Sequence, residues 1–138
     1  MSRVLDIVTA VIRDEAGRML LVRKRGTTAF MKPGGKRDGG EGDLATLARE
    51  LDEELGCRLV HAELLGNFSA PAANEAGFTV QSATYLASVE GDIAAQAEIE
   101  ELVWIDPAAP GDLRLAPLLT EQVLPALLAR PRPSTSSG

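Results

Sequence analysis

The sequence predicts one α/β domain, and three observations carry that prediction. Strand-like segments lie on both sides of one strongly amphipathic helix, a long glycine-rich loop precedes that helix, and 138 residues at 45% hydrophobic composition supply a single sizeable core. One domain over residues 1–130 is expected, followed by a Pro/Ser/Thr/Gly-rich tail at 131–138.

Asp6–Arg13 is β-branched and apolar, Met19–Val22 is apolar, and Asp14-Glu15-Ala16-Gly17 supplies turn residues between them, which predicts a short hairpin. Gly26–Glu41 follows neither a helical nor a strand period and reads as a functional loop around Pro33-Gly34-Gly35. Leu44, Leu47, Ala48, Leu51 and Leu55 recur at helical spacing, and Gly56 stands where a glycine stop belongs, so a helix is expected from Asp43 to Leu55. Arg58–Leu65 and Phe78–Val89 read as strands around a variable loop at Ser69–Gly77, and Leu102–Ile105 as a short strand. Leu113–Ala129 predicts a closing helix that Pro125 should kink or split.

Charge narrows the function. The chain carries 14 basic and 20 acidic residues, a net charge of −6, which argues against a general nucleic-acid binder. The basic residues nevertheless concentrate before residue 60, leaving only Arg114, Arg130 and Arg132 beyond, so a small anionic ligand is compatible. One cysteine, Cys57, excludes an internal disulfide and a multi-cysteine zinc site. The N-terminal stretch Met1–Arg18 shows neither a signal-type apolar region nor a spanning run, so a soluble, cytoplasmic protein without a membrane partner is expected.

The chemistry concentrates on the Asp43–Leu55 helix. Glu50, Glu53 and Glu54 sit at i, i+3 and i+4, one acidic face distinct from the leucine face. Like charges at that spacing cost about 0.2–0.5 kcal/mol per pair, a cost that a bound cation would reverse. Oxygen ligands without neighbouring His or Cys favour Mg²⁺ or Mn²⁺. A solvated acidic face is the bland alternative, and His61, on an apolar strand, and Trp104 read as structural.

Gly35-Lys36-Arg37-Asp38-Gly39-Gly40-Glu41, seven residues, and then Arg49-Glu50-Leu51-Asp52-Glu53-Glu54-Leu55-Gly56-Cys57 reproduce the spacing G-x5-E-x7-R-E-U-x-E-E-x-G-U. In this the chain resembles the Nudix hydrolases, departing only at Cys57, where the pattern prefers an aliphatic residue. The resemblance extends over most of the chain, through the strands before the motif, the Pro33-Gly34-Gly35-Lys36 lead-in and the Glu98–Trp104 segment.

It implies an α/β/α sandwich with a mixed sheet and a loop–helix–loop metal site, hydrolysing a nucleoside diphosphate linked to another group by water attack at phosphorus. By similarity, Glu50 and Glu54 are the main metal ligands with the Gly34 carbonyl, Glu53 is a further ligand or the general base, and Arg49 orients Glu53. Glu98 stands where some members carry an additional acidic ligand or base. Glu41 is expected to fix the loop against the helix and Gly56 to close it. Lys36, Gly35 and, less directly, Arg23 or Arg25 are the candidate phosphate contacts. The favoured substrate is a (deoxy)nucleoside triphosphate cleaved to monophosphate and pyrophosphate, acted on by a monomer or homodimer. ADP-ribose or a nucleotide sugar is the rival, with Pro71 near a proline found in ADP-ribose-hydrolysing members. A catalytically silent nucleotide-sensing module is the alternative of another class.

Overall fold

The computed structural model describes residues 3–73 and 75–130. The tail expected at 131–138 lies outside the described residues. Six strands and a principal helix follow in the order β1 (Arg3–Ile12), β2 (Met19–Lys24), β3 (Gly34–Lys36), α1 (Asp43–Leu55), β4 (Arg58–Pro71), β5 (Phe78–Glu90) and β6 (Ile99–Ile105). A π-helical turn at Leu119–Val123 then leads into α2 (Leu124–Ala129).

Four strands form a mixed sheet in the order β3-β1-β5-β4, in which β1 and β5 are parallel and the other pairs antiparallel. β2 and β6 form a second, two-stranded antiparallel sheet. The alternation of side chains along β1 and β2 explains the layering. Val8, Ala10 and Ile12 with Leu20 and Val22 pack against Leu47, Leu51 and Leu55 of α1. Val11, Met19 and Leu21 face the opposite way, onto Leu119, Val123, Leu124 and Leu127. The result is an α/β/α sandwich with one core on each side of the strands.

Several sequence expectations need correction. The turn after β1 forms, with the Gly17 amide donating to the Asp14 carbonyl at 3.0 Å, but only Arg13 and Met19 pair across it. β2 then diverges to pair with β6, because its alternating apolar residues are needed by both cores. The loop at 26–41 contains β3, whose Gly34, Gly35 and Lys36 pair with Thr9, Val8 and Ile7. β4 runs on to Pro71, and β6 begins at Ile99. The closing helix starts at Pro117 rather than Leu113, since Phe30 and Leu115 pair as extended chain. Pro125 does split it: a proline cannot donate to the carbonyl one turn back, and the preceding Leu124 amide bonds to Leu119, five residues earlier. Leu44, counted on the apolar face of α1, is 50% exposed.

Candidate active site

The Gly34-Gly35 pair sits where the β3 backbone meets β1 on one side and α1 on the other. A Cβ on Gly34, whose φ is +145°, would lie 2.1 Å from the Val8 carbonyl oxygen. A Cβ on Gly35 would lie 2.5 Å from the Glu50 carboxyl carbon. Glycine at 34 therefore lets the loop lie against the β1 backbone, and glycine at 35 brings bare backbone against the Glu50 carboxylate, approaches that a side chain would block.

The three helix glutamates have different environments, which corrects the expectation of one shared acidic face. Glu53 and Glu54 are about 100° apart around the helix, so one turns outward where the other turns toward the leucine stripe. The Glu53 side chain is 53% exposed, that of Glu50 only 15%, and Glu54 is 2% exposed as a residue. Glu54 Oε1 accepts a hydrogen bond from the Gly34 amide at 3.1 Å, whereas its buried Oε2 has no partner. Burial pushes the Glu54 carboxyl up to about 7, against the lowering effects of the Gly34 hydrogen bond and of Lys24.

Arg49 acts as a fork. Its Nε and Nη2 donate to the two oxygens of Glu41 at 3.0 and 2.8 Å, Nη2 also donates to the Lys36 carbonyl at 2.9 Å, and Nη1 donates to Glu50 Oε2 at 2.7 Å. Glu53 is farther, at 3.6 Å. Among the helix glutamates, Glu50 is thus the one that Arg49 hydrogen-bonds, while Glu53, expected from the helical spacing, stands at ion-pair distance only. Glu41 also accepts from the Asp38 amide and the Thr46 hydroxyl. The Arg49 guanidinium, followed by the Asp38 amide, holds the Glu41 carboxyl down at about 2. Gly56 adopts φ +70° and returns its amide to the Asp52 carbonyl, ending α1 in the left-handed conformation that glycine tolerates.

A cleft of about 400 Å³ opens beside this frame. Gly34, Gly35, Lys36, Glu50 and Glu98 line it, so these predicted residues come together. Glu98 arrives from the segment before β6: the Ala94 and Gln96 amides donate to the Leu55 and Glu54 carbonyls at 3.1 and 2.9 Å, while the Arg25 amide donates to the Glu98 carbonyl at 2.8 Å. The other predicted residues do not line the cleft. Glu54, Arg49, Glu41 and Gly56 belong to the frame behind it, Glu53 is exposed, and Arg23 is taken up by Glu101 at 3.1 Å and the Thr27 carbonyl at 2.9 Å, because β2–β6 pairing sets it opposite Glu101. Arg25 is likewise paired, with Glu100 at 3.5 Å.

Two cleft lysines were missed. Lys24 stands 3.3 Å from Glu98, and Lys32 is 5% exposed, with burial alone pulling its ammonium down to about 7. The signal for Lys32 was its place directly after the apolar run Ala29-Phe30-Met31, which argues for a buried segment.

The donor set can be tested for a hard divalent cation. Glu54 Oε2 is a buried oxygen without a partner, Glu50 abuts bare backbone, and both present oxygen only. Oxygen-only donors of this kind fit Mg²⁺, which is bound through one or two carboxylates together with waters and substrate phosphates; among the described residues no three His, Cys, Asp or Glu side chains converge.

A NUDIX domain family model matches residues 5–127. The chain belongs to the Nudix family. Similar proteins agree. The 8-oxo-dGTP diphosphatase of Haemophilus influenzae is 34% identical over 71 residues, which cover 49% of this chain and 52% of that protein, so the match spans about half of that relative. The crystal structure of MutT NUDIX hydrolase from Burkholderia pseudomallei has 28% identity and a TM-score of 0.69, covering 80% of this chain and 90% of that one. The E. coli ORF135 protein, solved in solution, has 26% identity and a TM-score of 0.76 over 96% of both chains. The α/β/α arrangement with its loop–helix–loop is therefore the Nudix fold, and no helix among the described residues is long and apolar enough to cross a membrane.

Proposed function

We propose that this Nudix domain is a Mg²⁺- or Mn²⁺-dependent pyrophosphohydrolase that cleaves a (deoxy)nucleoside triphosphate to monophosphate and pyrophosphate. The observation that carries the reading is the buried Glu54 carboxylate, with one oxygen held by the Gly34 amide and the other unpartnered, beside a cleft of nucleotide size. The Haemophilus influenzae relative is named for a nucleoside triphosphate, which supports the substrate class.

In this reading Glu50, Glu54 and the Gly34 carbonyl would hold the metal. When bound, the cation would neutralise phosphate charge and lower the pKa of the attacking water. Arg49 keeps the Glu50 carboxylate facing the cleft while Glu41 secures the loop to the helix. Lys36 and Lys24 supply ammonium donors for phosphate oxygens, and the Gly35 backbone admits a close approach. Two carboxylates were open as the proton acceptor, Glu53 and Glu98. Only Glu98 lines the cleft, so Glu98 takes the proton as the water oxygen bonds to phosphorus and the anhydride oxygen departs.

The test is a screen of nucleoside triphosphates, ADP-ribose and nucleotide sugars with Mg²⁺, Mn²⁺ or chelator, with both products identified. Metal-dependent release of pyrophosphate and nucleoside monophosphate is expected. Turnover surviving chelation after metal stripping, or free base as first product, would overturn the assignment. Binding without any cleavage would point to the sensing module instead.

A further inference from the structure

The floor of the cleft differs from its walls and rim. Among the residues lining it, only Thr9 and Lys32 are buried, at 3% and 5% exposure, whereas the rim carboxylates Asp38 and Glu98 are exposed. Between floor and rim, apolar side chains including Leu5, Ile7, Met31 and Val80 form the walls. A nucleotide whose phosphates meet the carboxylate rim would slide its base between those walls and set one base edge on the floor.

The two floor groups are not equivalent. The Thr9 hydroxyl is engaged, 2.8 Å from Ser82 and 3.4 Å from Thr84, within a buried hydroxyl cluster. Lys32 has neither a hydrogen bond nor a neighbouring carboxylate among the described residues, and burial is the sole influence on it. The backbone beside it is pinned, with the Ala10 amide donating to the Pro33 carbonyl at 3.0 Å. An ammonium offers three donors and no acceptor. The Lys32 residue is buried while its nitrogen is not among the sealed, unpartnered atoms, so the ammonium opens into the cleft with its donors available to a ligand's acceptor.

We propose that Lys32 reads the nucleobase, donating a hydrogen bond from the cleft floor to a ring carbonyl oxygen and thereby favouring carbonyl-bearing bases over adenine. Guanine, oxidised guanine, uracil and thymine present such an oxygen. Adenine presents an amino group in the corresponding place, a donor facing a donor. The inference rests on the nucleotide reading above and adds the class of base and the residue that selects it.

The experiment is a cycle between a side chain and a base oxygen. Inosine and purine-riboside monophosphates, which differ by the ring carbonyl and the proton that accompanies it, are titrated with Mg²⁺ into the wild type and Lys32→Met, and kcat/KM is measured for GTP, UTP and ATP. The wild type should bind the inosine nucleotide at least about tenfold more tightly, the scale of a charged hydrogen bond, and Lys32→Met should lose that preference. GTP and UTP should lose about ten- to hundredfold in kcat/KM, mainly through KM, while ATP changes less than about threefold. Equal losses for GTP, UTP and ATP would overturn the proposal in favour of a phosphate contact, and an unchanged preference in Lys32→Met would overturn it outright. If no triphosphate is cleaved, the hydrolase reading fails, yet monophosphate titration still decides the role of Lys32. If Lys32→Met does not fold, the inosine to purine-riboside ratio in the wild type decides it, because equal affinities leave the floor lysine without a carbonyl to read.

Discussion

Glu41 and Glu54 are the same side chain thirteen residues apart in one motif, and the fold drives them in opposite directions. Glu41, held by Arg49, the Asp38 amide and Thr46, is stabilised as a carboxylate and its carboxyl sits at about 2. Glu54, packed beside the leucine stripe with one oxygen unpartnered, is destabilised as a carboxylate and sits at about 7. Acidic residues in one binding motif thus divide the work. Some spend their charge inside the protein to hold the frame, and others keep it uncommitted for a ligand.

The largest effect is expected from Glu54→Gln. An amide cannot supply the charge that offsets a divalent cation, so turnover should fall at least about a hundredfold and the Mg²⁺-induced rise in melting temperature should largely disappear. The metal-free variant should be at least as stable as the wild type. Near-normal turnover with unaltered Mg²⁺ dependence would remove Glu54 from the metal site.

A second pair of variants separates Glu98 from Glu53. Glu98→Gln should lose on the order of a hundredfold in kcat, the effect of removing a general base, while Glu53→Gln should stay within about threefold. Measuring kcat against pH for both would show it, and the reverse ranking would return the base role to Glu53.

The frame itself is tested by Arg49→Lys. A lysine is a point charge and cannot span both oxygens of Glu41 while also reaching Glu50, so positioning is lost though charge is kept. About a tenfold loss of activity is expected, accompanied by weaker Mg²⁺ binding in a calorimetric titration. Activity equal to wild type would show that the fork is dispensable.

The smallest effect is on stability against pH in chelator. The folded Glu54 carboxyl, at about 7, lies above its unfolded value of 4.5, so folding favours the protonated form. Metal-free stability should therefore decline as pH rises from about 4.5 to 7, by a few degrees in melting temperature, and Glu54→Gln should flatten that decline. Glu41 has the opposite sign: its contribution is present above 4.5 and is lost as pH falls toward 2. Parallel melting curves for wild type and Glu54→Gln across pH 5–8 would contradict the raised Glu54 value.

The sequence made the motif helix legible because its leucine spacing and glycine stop are local properties. The strands β1, β5 and the first half of β4 were legible as runs of strand-forming residues bounded by turn signals. β3 was not, since Gly-Gly-Lys has little strand propensity and is extended only because β1 lies beside it. Helical spacing grouped Glu50, Glu53 and Glu54, yet what distinguishes them is how far each turns toward the core, which depends on where the sheet lies. Arg23 was misread for a long-range reason as well: its partner Glu101 is set by the β2–β6 register, which no local pattern encodes.

The hydrogen bonds from Ala94 and Gln96 to the last carbonyls of α1 carry one further consequence. They make the segment before β6 a spacer of fixed length, measured from the end of the helix to Glu98. Residues added near Gly91 and Asp92 lie ahead of both anchors and can bulge into solvent without moving the acid. A single residue added between Gln96 and Glu98 changes the interval between the last anchor and the acid, and would slide the carboxylate along the rim. Natural or engineered variation in this segment should therefore be absorbed on one side of Ala94 and felt on the other.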